Sequence, residues 1–264
     1  MKLGACLLLL ADESDPLAIS SIPHIREAGF DYAEVSLARC LALSDEALDT
    51  YCAFFQENEL PVDVFNNAIP KDLALIGPNS NKEKIDQYIH RAIVIAQRMG
   101  CSIITMSGPN RRRAPANYPW ELGFQEYVEF LQAYSSLAEE AGITLAIEPI
   151  NDEEHSFIST VAEANRAAKA SGCKNVKAMV DFYHFFKQKD DYQNLLQICE
   201  NDIVHVHYAA LPDRTYPAKK DYEACRKVLM PLMEAGYTGR ISLEAFAHNH
   251  EEDLAQACAL LRNL

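Results

Sequence analysis

The chain has 264 residues, with 24 Lys and Arg against 38 Asp and Glu, a formal net charge of −14. Hydrophobic residues make up 49% of the chain and charged residues 23%, proportions typical of a globular protein rather than a disordered or collagen-like one. The negative charge argues against binding to nucleic acids or to an anionic membrane, because both would repel an acidic protein. We therefore expect neither a nucleic acid nor a membrane surface as a partner.

The N-terminal apolar run, Leu3 to Ala11, has the composition of a signal-peptide core. It leads directly into acidic residues, no small-x-small cleavage site follows it, and it is too short to span a bilayer. We predict that it is a buried first strand and that the protein is cytoplasmic. None of the eight cysteines stands at CxxC spacing, so we expect reduced thiols that pack as small apolar side chains.

Eight short apolar runs have the length and composition of buried parallel strands, and a longer segment with helical periodicity follows each one. The predicted strands are Lys2–Leu10, Asp31–Leu37, Leu60–Phe65, Ser102–Met106, Thr144–Glu148, Val176–Asp181, Ile203–Tyr208 and Arg240–Ala245. No linker or change of composition interrupts the repeat. The pattern predicts one (β/α)₈ TIM barrel domain over residues 1–264. An open doubly wound sheet is the alternative, but the chain has no GxGxxG motif.

Residues that favour helix ends support the same repeat. Asp15 followed by Pro16 predicts the start of the first helix. Half of the ten glycines stand where a helix is predicted to end just before a strand, a position that favours left-handed backbone. These glycines are Gly29, Gly100, Gly142, Gly172 and Gly236.

Ligands of parallel α/β barrels bind at the carboxyl ends of the strands, so the residues there are the candidates for function. The last four predicted strands deliver, in order, Glu148, Asp181, His207 and Glu244. Clustered carboxylates repel one another, and a divalent cation removes that repulsion. Three carboxylates and one imidazole suit a hard cation, and the lack of Cys disfavours structural zinc. We expect one divalent metal ion, Mn²⁺ ahead of Mg²⁺, Co²⁺ or Zn²⁺.

Glu148, the Asp181-x-x-His184 and His205-x-His207 pairs, and Glu244 resemble the metal signature of the xylose-isomerase-like barrels. Within that family the chain is most similar to ketose 3-epimerases of the D-tagatose and D-psicose type. The resemblance implies that the metal ligands are Glu148, Asp181, His207 and Glu244. It implies that Glu148 and Glu244 are also the catalytic bases, and that Glu154, His184 and Arg214 bind the substrate.

The implied enzyme is a metal-dependent sugar epimerase or aldose–ketose isomerase. It would move a proton at the carbon next to the carbonyl of a ketose or related keto-sugar, through a metal-bound enediolate with two Glu bases. A keto-sugar or inosose dehydratase or lyase begins with the same proton removal and is the main alternative. The sequence also leaves open whether the protein forms a homo-oligomer, as a dimer or tetramer.

Two more distant functions are alternatives for a barrel of this kind. An apurinic endonuclease of this barrel type would need further His ligands, which Phe65-Asn66-Asn67 and Met106-Ser107-Gly108 at two earlier strand ends do not supply. A non-catalytic sugar-binding barrel is disfavoured because the whole ligand set is present.

Several side chains keep a structural alternative at this stage. Arg214 and Glu154 lie in polar segments, where the alternative is a solvent-exposed side chain. For His184 the alternative is a capping residue linked to Asp181. His205 lies on the same strand face as His207, where it either bonds a carboxylate behind the metal site or fills a barrel layer. Glu34 has either a role in the fold or one in substrate binding. The basic run Arg111–Arg113 either captures a substrate anion at the rim or is an exposed loop.

Overall fold

The computed structural model describes residues 1–107, 117–154 and 157–264, and in these ranges it has eight parallel strands. The strands are β1 (Lys2–Cys6), β2 (Tyr32–Ser36), β3 (Val62–Asn66), β4 (Ile103–Met106), β5 (Thr144–Ile147), β6 (Val176–Asp181), β7 (Ile203–Tyr208) and β8 (Arg240–Leu243). Each strand pairs with its sequence neighbours, and β8 pairs with β1 to close the barrel. The predicted TIM barrel is confirmed.

Helices connect the strands and pack their apolar faces against the outside of the barrel. They are α1 (Ser21–Glu27), α2 (Leu37–Leu41), α3 (Asp45–Glu57), α4 (Lys82–Met99), α5 (Trp120–Glu140), α6 (Val161–Ser171), α7 (Phe182–Gln188), α8 (Tyr192–Asp202), α9 (Tyr222–Glu234) and α10 (His250–Arg262). Short 3₁₀ turns cover Asp152–Glu154 and Lys219–Asp221. Within the described ranges, no helix has the length and apolar character needed to cross a membrane.

The helix ends follow the sequence signals, with one exception. The five glycines predicted to end helices all have φ between 69° and 94°, a left-handed conformation that costs glycine little. The first helix begins at Ser21 and not at Asp15. The Asp15 carboxylate instead accepts the backbone N–H groups of Ile19 and Ser20 at 2.9 and 2.8 Å, so it caps the turn that precedes the helix.

The first and last strands are shorter than predicted. β1 ends at Cys6 rather than Leu10, and β8 ends at Leu243 rather than Ala245. Leu7 and Leu10 are nevertheless buried, because the turn after β1 folds back onto the core. Apolar residues in a buried turn cannot be told from strand residues by their pattern alone.

The interior of the barrel is filled by side chains from successive strands, in a small cluster separate from the main core. This cluster contains Tyr32, Val64, Ile103, Ala146 and Met179. The Tyr32 hydroxyl lies 2.8 Å from the Ser242 hydroxyl on β8. A Cβ atom at Gly4 would lie 2.2 Å from the Tyr32 ring, so only glycine at that position leaves room for the ring.

An ionic network closes the amino-terminal end of the barrel. Asp63 on β3 accepts hydrogen bonds from Lys2 on β1 at 2.8 Å and from Arg240 on β8 at 2.9 Å. Arg240 also donates to the Ser102 hydroxyl at 3.0 Å, next to β4. The network ties four strands together at the end opposite the candidate site, where barrel residues typically serve stability.

Candidate active site

The four predicted metal ligands meet at the carboxyl end of the barrel. Glu148 directly follows β5, Asp181 ends β6, His207 lies in β7 and Glu244 directly follows β8. One ligand atom of each lies within 4.8 Å of the other three. All four side chains are at most 7% exposed. Four neighbouring strands thus bring together three carboxylates and one imidazole that lie far apart in the sequence.

The donor set fits a divalent cation. The Nδ1 atom of His207 faces Glu148 Oε1 at 3.4 Å and Glu244 Oε2 at 3.2 Å. Nδ1 is buried and makes no hydrogen bond with any residue that the structure describes. A buried imidazole nitrogen aimed between carboxylate oxygens is a suitable arrangement for a metal with nitrogen and oxygen ligands. Burial disfavours protonation of His207, but Glu34 and Glu244 outweigh it and raise its pKa well above the usual value. The cluster therefore attracts positive charge.

Arg214 lies beside this cluster and is largely shielded from solvent. Its guanidinium donates to Asp181 Oδ2 at 3.0 Å and makes a close ion pair with Glu244. Its side chain is 15% exposed, and the guanidinium lies 4.4 Å from the centre of the Tyr183 ring. Burial raises the pKa of Glu244, but Arg214 and His207 outweigh that effect and lower it far below the usual value, so the carboxylate is ionised.

The loop that carries Arg214 is fixed by backbone hydrogen bonds. Thr215 forms bridges with Ala210 on one side and Phe246 on the other, and the Phe246 N–H donates to the Arg214 carbonyl at 2.8 Å. The β7 and β8 loops are therefore joined at the mouth. Phe246 is 48% exposed there, whereas Phe65 and Phe182 are fully buried.

Glu34 is the residue whose importance the sequence does not reveal. It is fully buried in β2, and its two carboxylate oxygens accept hydrogen bonds from Nε2 of His207 at 2.7 Å and Nε2 of His205 at 2.9 Å. Burial opposes ionisation of Glu34, but the two imidazoles outweigh it and lower its pKa to about 2. Of the two roles considered for His205, the structure shows the contact with a carboxylate behind the ligand cluster.

The other predicted substrate residues lie next to the cluster. His184 is buried, with Nε2 3.6 Å from Asp181 Oδ2 and Nδ1 3.6 Å from Glu154 Oε1. The Glu154 side chain is 37% exposed, so it lies at the rim. Asn151, which the sequence did not single out, is buried and its amide nitrogen lies 2.6 Å from His184 Nδ1. The Arg111–Arg113 run lies outside the described residues.

A closed parallel barrel with a carboxylate–histidine cluster at the carboxyl ends of its strands is the architecture of a barrel enzyme. The chain belongs to the xylose isomerase-like TIM barrel family, whose model matches residues 22–264. The family resemblance found in the strand-end motifs is thereby confirmed.

Individual relatives agree with this family assignment. The chain is 26% identical to a probable ketose 3-epimerase of Synechocystis sp. over 76% of this chain and 69% of the relative. It is 23% identical to D-psicose 3-epimerase of Agrobacterium fabrum over 85% of this chain and 78% of the relative. The structure of a 3-keto-D-glucoside 4-epimerase from Escherichia coli matches the full length of both chains with a TM-score of 0.79 at 21% identity, which supports the fold. Epimerases are isomerases, so these relatives confirm the predicted enzyme class.

Proposed function

We propose that this chain is a divalent-metal-dependent sugar epimerase or aldose–ketose isomerase acting on a ketose or related keto-sugar, as one barrel domain over residues 1–264. The observation that carries the proposal is the meeting of Glu148, Asp181, His207 and Glu244 within 4.8 Å on four consecutive strands. The ketose and keto-sugar epimerases among the relatives support the substrate class. Mn²⁺ is the metal that we expect, with Mg²⁺, Co²⁺ and Zn²⁺ also compatible with the ligands.

The metal, when bound, supplies a Lewis acid that polarises the substrate carbonyl and so acidifies the neighbouring C–H bond. The remaining chemistry belongs to side chains. Epimerisation needs one base to remove the proton and a second group to return it from the opposite face. Glu148 and Glu244 are proposed for these roles because they follow different strands, β5 and β8, and one oxygen of each lies within 3.4 Å of His207 Nδ1. Asp181 and His207 complete the ligand set.

Substrate binding is assigned to the three neighbours of the cluster. Arg214 carries a largely buried positive charge beside Glu244, where it would hold a substrate oxygen that becomes negative during proton removal. His184 is positioned by Asn151 and lies between Asp181 and Glu154, so it would hold a hydroxyl near the reacting carbon. Glu154, at the rim, would accept a hydrogen bond from a hydroxyl at the end of the sugar.

The test is deuterium exchange. The Mn²⁺-loaded protein is incubated in D₂O with a panel of ketoses, inososes and their phosphates, and deuterium next to the carbonyl is detected by NMR. We expect exchange with at least one sugar and its loss after EDTA treatment. Glu148→Gln and Glu244→Gln should each reduce the rate by about 10²–10⁴-fold, the usual contribution of a general base. Glu153→Gln, a matched change of an exposed acid, should keep the rate.

The products separate the alternatives. An inverted carbon identifies an epimerase, an aldose identifies an isomerase, and loss of water identifies a dehydratase. Exchange that survives both EDTA and Glu244→Gln would refute the proposed function.

A further inference from the structure

The contacts of Glu34 go beyond what the proposed reaction uses. This carboxylate does not reach the mouth of the barrel, because both of its oxygens are occupied by imidazole nitrogens inside it. It lies on β2, whereas the four candidate ligands all come from β5 to β8. A buried negative charge thus lies across the barrel from the strands that carry the candidate ligands.

A second metal site is one answer, since Glu34, His205 and His207 each offer a ligand atom within 4.8 Å of the others. The distances argue against it. Glu34 lies 2.7 and 2.9 Å from the two Nε2 atoms, which is direct hydrogen-bond contact and leaves no space for an ion between them. In this arrangement Glu34 acts as a hydrogen-bond acceptor for both imidazoles.

The acceptor role fixes where the protons are. An ionised carboxylate has no proton to donate, so each Nε2 atom must carry the hydrogen of its bond to Glu34. His207 can then offer a lone pair only from Nδ1, and Nδ1 is the atom that faces Glu148 and Glu244. Carboxylates that fix a metal-bound histidine in this way set both its ring orientation and its tautomer.

We infer that Glu34 is a positioning residue of the metal site: it holds the Nε2–H of His207 and thereby commits Nδ1 to the metal, with His205 occupying its second oxygen. The inference rests on the proposed function, because it takes His207 to be a metal ligand. Glu34 itself touches neither substrate nor metal.

Replacing Glu34 by glutamine should change which nitrogen of His207 carries the proton. The amide has one acceptor atom, so it can accept from only one of the two Nε2–H groups, and its NH₂ group needs a lone pair on the other imidazole. His207 is the ring expected to change. Its Nδ1–H would find acceptors in Glu148 and Glu244, whereas Nδ1 of His205 is buried without a partner among the described residues. A neutral His207 that keeps its single proton on Nδ1 has no lone pair there for the metal.

The first experiment measures Mn²⁺ binding by titration calorimetry, which does not depend on turnover. We expect the unsubstituted protein to bind one equivalent, and Glu34→Gln to bind about 10–100-fold more weakly with the same stoichiometry. Tyr32→Phe is the matched control. It removes another buried polar group from the same face of β2, a hydroxyl paired with Ser242, and should leave Mn²⁺ affinity unchanged.

The outcomes separate the two proposals. Failure of the unsubstituted protein to bind Mn²⁺ overturns the proposed function and the role of Glu34 with it. Normal binding by both the unsubstituted protein and Glu34→Gln overturns the role of Glu34 alone. Two equivalents in the unsubstituted protein and one in the variant would identify the Glu34 trio as a second metal site, and so would refute the positioning role.

A second measurement needs no variant and therefore stands even if Glu34→Gln does not fold. Nitrogen-15 NMR of the histidine side chains of the unsubstituted protein should show protonated Nε2 on both His205 and His207 without metal. After loading with diamagnetic Zn²⁺, His207 should be bound through Nδ1 with its Nε2 proton retained. A spectrum with ligation through Nε2 of His207 contradicts the inference.

Discussion

Arg214 shows how a single residue can belong to the site without being a metal ligand. Its guanidinium contacts the same two carboxylates, Asp181 and Glu244, that are proposed to bind the metal. A cation in that position competes with the metal for carboxylate charge, yet it suits a substrate oxygen that becomes negative. Removing Arg214 should therefore slow turnover, because the substrate oxygen loses its partner, without weakening metal binding, because a competing cation is lost.

For Arg214→Met we predict kcat/KM lower by about 10–100-fold, because a hydrogen bond from a charged group contributes about 1.5–3 kcal/mol. Mn²⁺ affinity should stay the same or rise, since a competing positive charge is removed. Steady-state kinetics and Mn²⁺ titration measure the two effects separately. Arg226→Met, an exposed arginine on α9, is the control and should change neither. Weaker Mn²⁺ binding with unchanged kinetics would contradict the assignment.

At the scale of an element, α6 follows directly on the segment that contains Glu154. Thr160 caps this helix: its hydroxyl accepts the Glu163 N–H at 3.2 Å, and the Glu163 carboxylate accepts the Thr160 N–H at 3.1 Å. Glu163 also accepts the Ser159 N–H at 2.7 Å. Reciprocal caps of this type satisfy backbone donors that the first turn of a helix leaves free.

Thr160→Ala should lower the free energy of unfolding by about 1 kcal/mol, the usual cost of losing a helix N-cap. The rate of substrate turnover should not change at temperatures where the protein is folded. Urea unfolding followed by circular dichroism measures the difference. Thr50→Ala in α3 is the control, because its exposed hydroxyl donates to the Glu46 carbonyl inside the helix and not to a helix end. An equal loss in both variants would argue that the cap adds nothing.

The helices and strands also show how much of the fold and of the candidate site can be predicted from the sequence. All eight strands and the four ligands at their ends follow from local patterns, since apolar runs and strand-end polar residues are visible in any stretch of chain. The role of Glu34 does not follow, because its partners His205 and His207 lie 171 and 173 residues away. The contact of Asn151 is not predicted for a similar reason, since its partner His184 lies 33 residues further on. Sequence spacing reveals neighbours on one strand or helix, whereas these contacts cross the barrel or join segments that follow different strands.

For the whole molecule, the Asp63 network and the candidate site lie at opposite ends of the barrel. The Asp63 network lies at the amino-terminal end, and the candidate site lies at the carboxyl end. Burial raises the pKa of Asp63, but its hydrogen bonds to Lys2 and Arg240 outweigh that effect and lower the pKa below the ordinary value of 3.8. A carboxylate with a lowered pKa stabilises the folded state above its unfolded pKa and loses this contribution as the pH falls through its folded value.

Asp63→Asn should therefore cost about 1.5–3 kcal/mol of stability near neutral pH, the usual worth of hydrogen bonds to a charged group. The difference between the two proteins should shrink as the pH falls below about 4, because the native Asp63 then becomes protonated as well. Urea unfolding over a series of pH values measures it. Asp72→Asn at an exposed position is the control. A difference that does not depend on pH would show that shape, and not charge, sets the contribution of Asp63.

The Glu34 contacts also affect the order of events in folding. The acceptor Glu34 and the last candidate ligand, Glu244, are separated by 210 residues of sequence, from position 34 to position 244. Contacts between such distant segments are slow to form, because the intervening chain must be ordered first. On the proposed assignment, an N-terminal fragment lacks ligands and a C-terminal fragment lacks the acceptor for His207. Tight binding of the metal would then come late in refolding, and a bound ion would indicate that the barrel has closed.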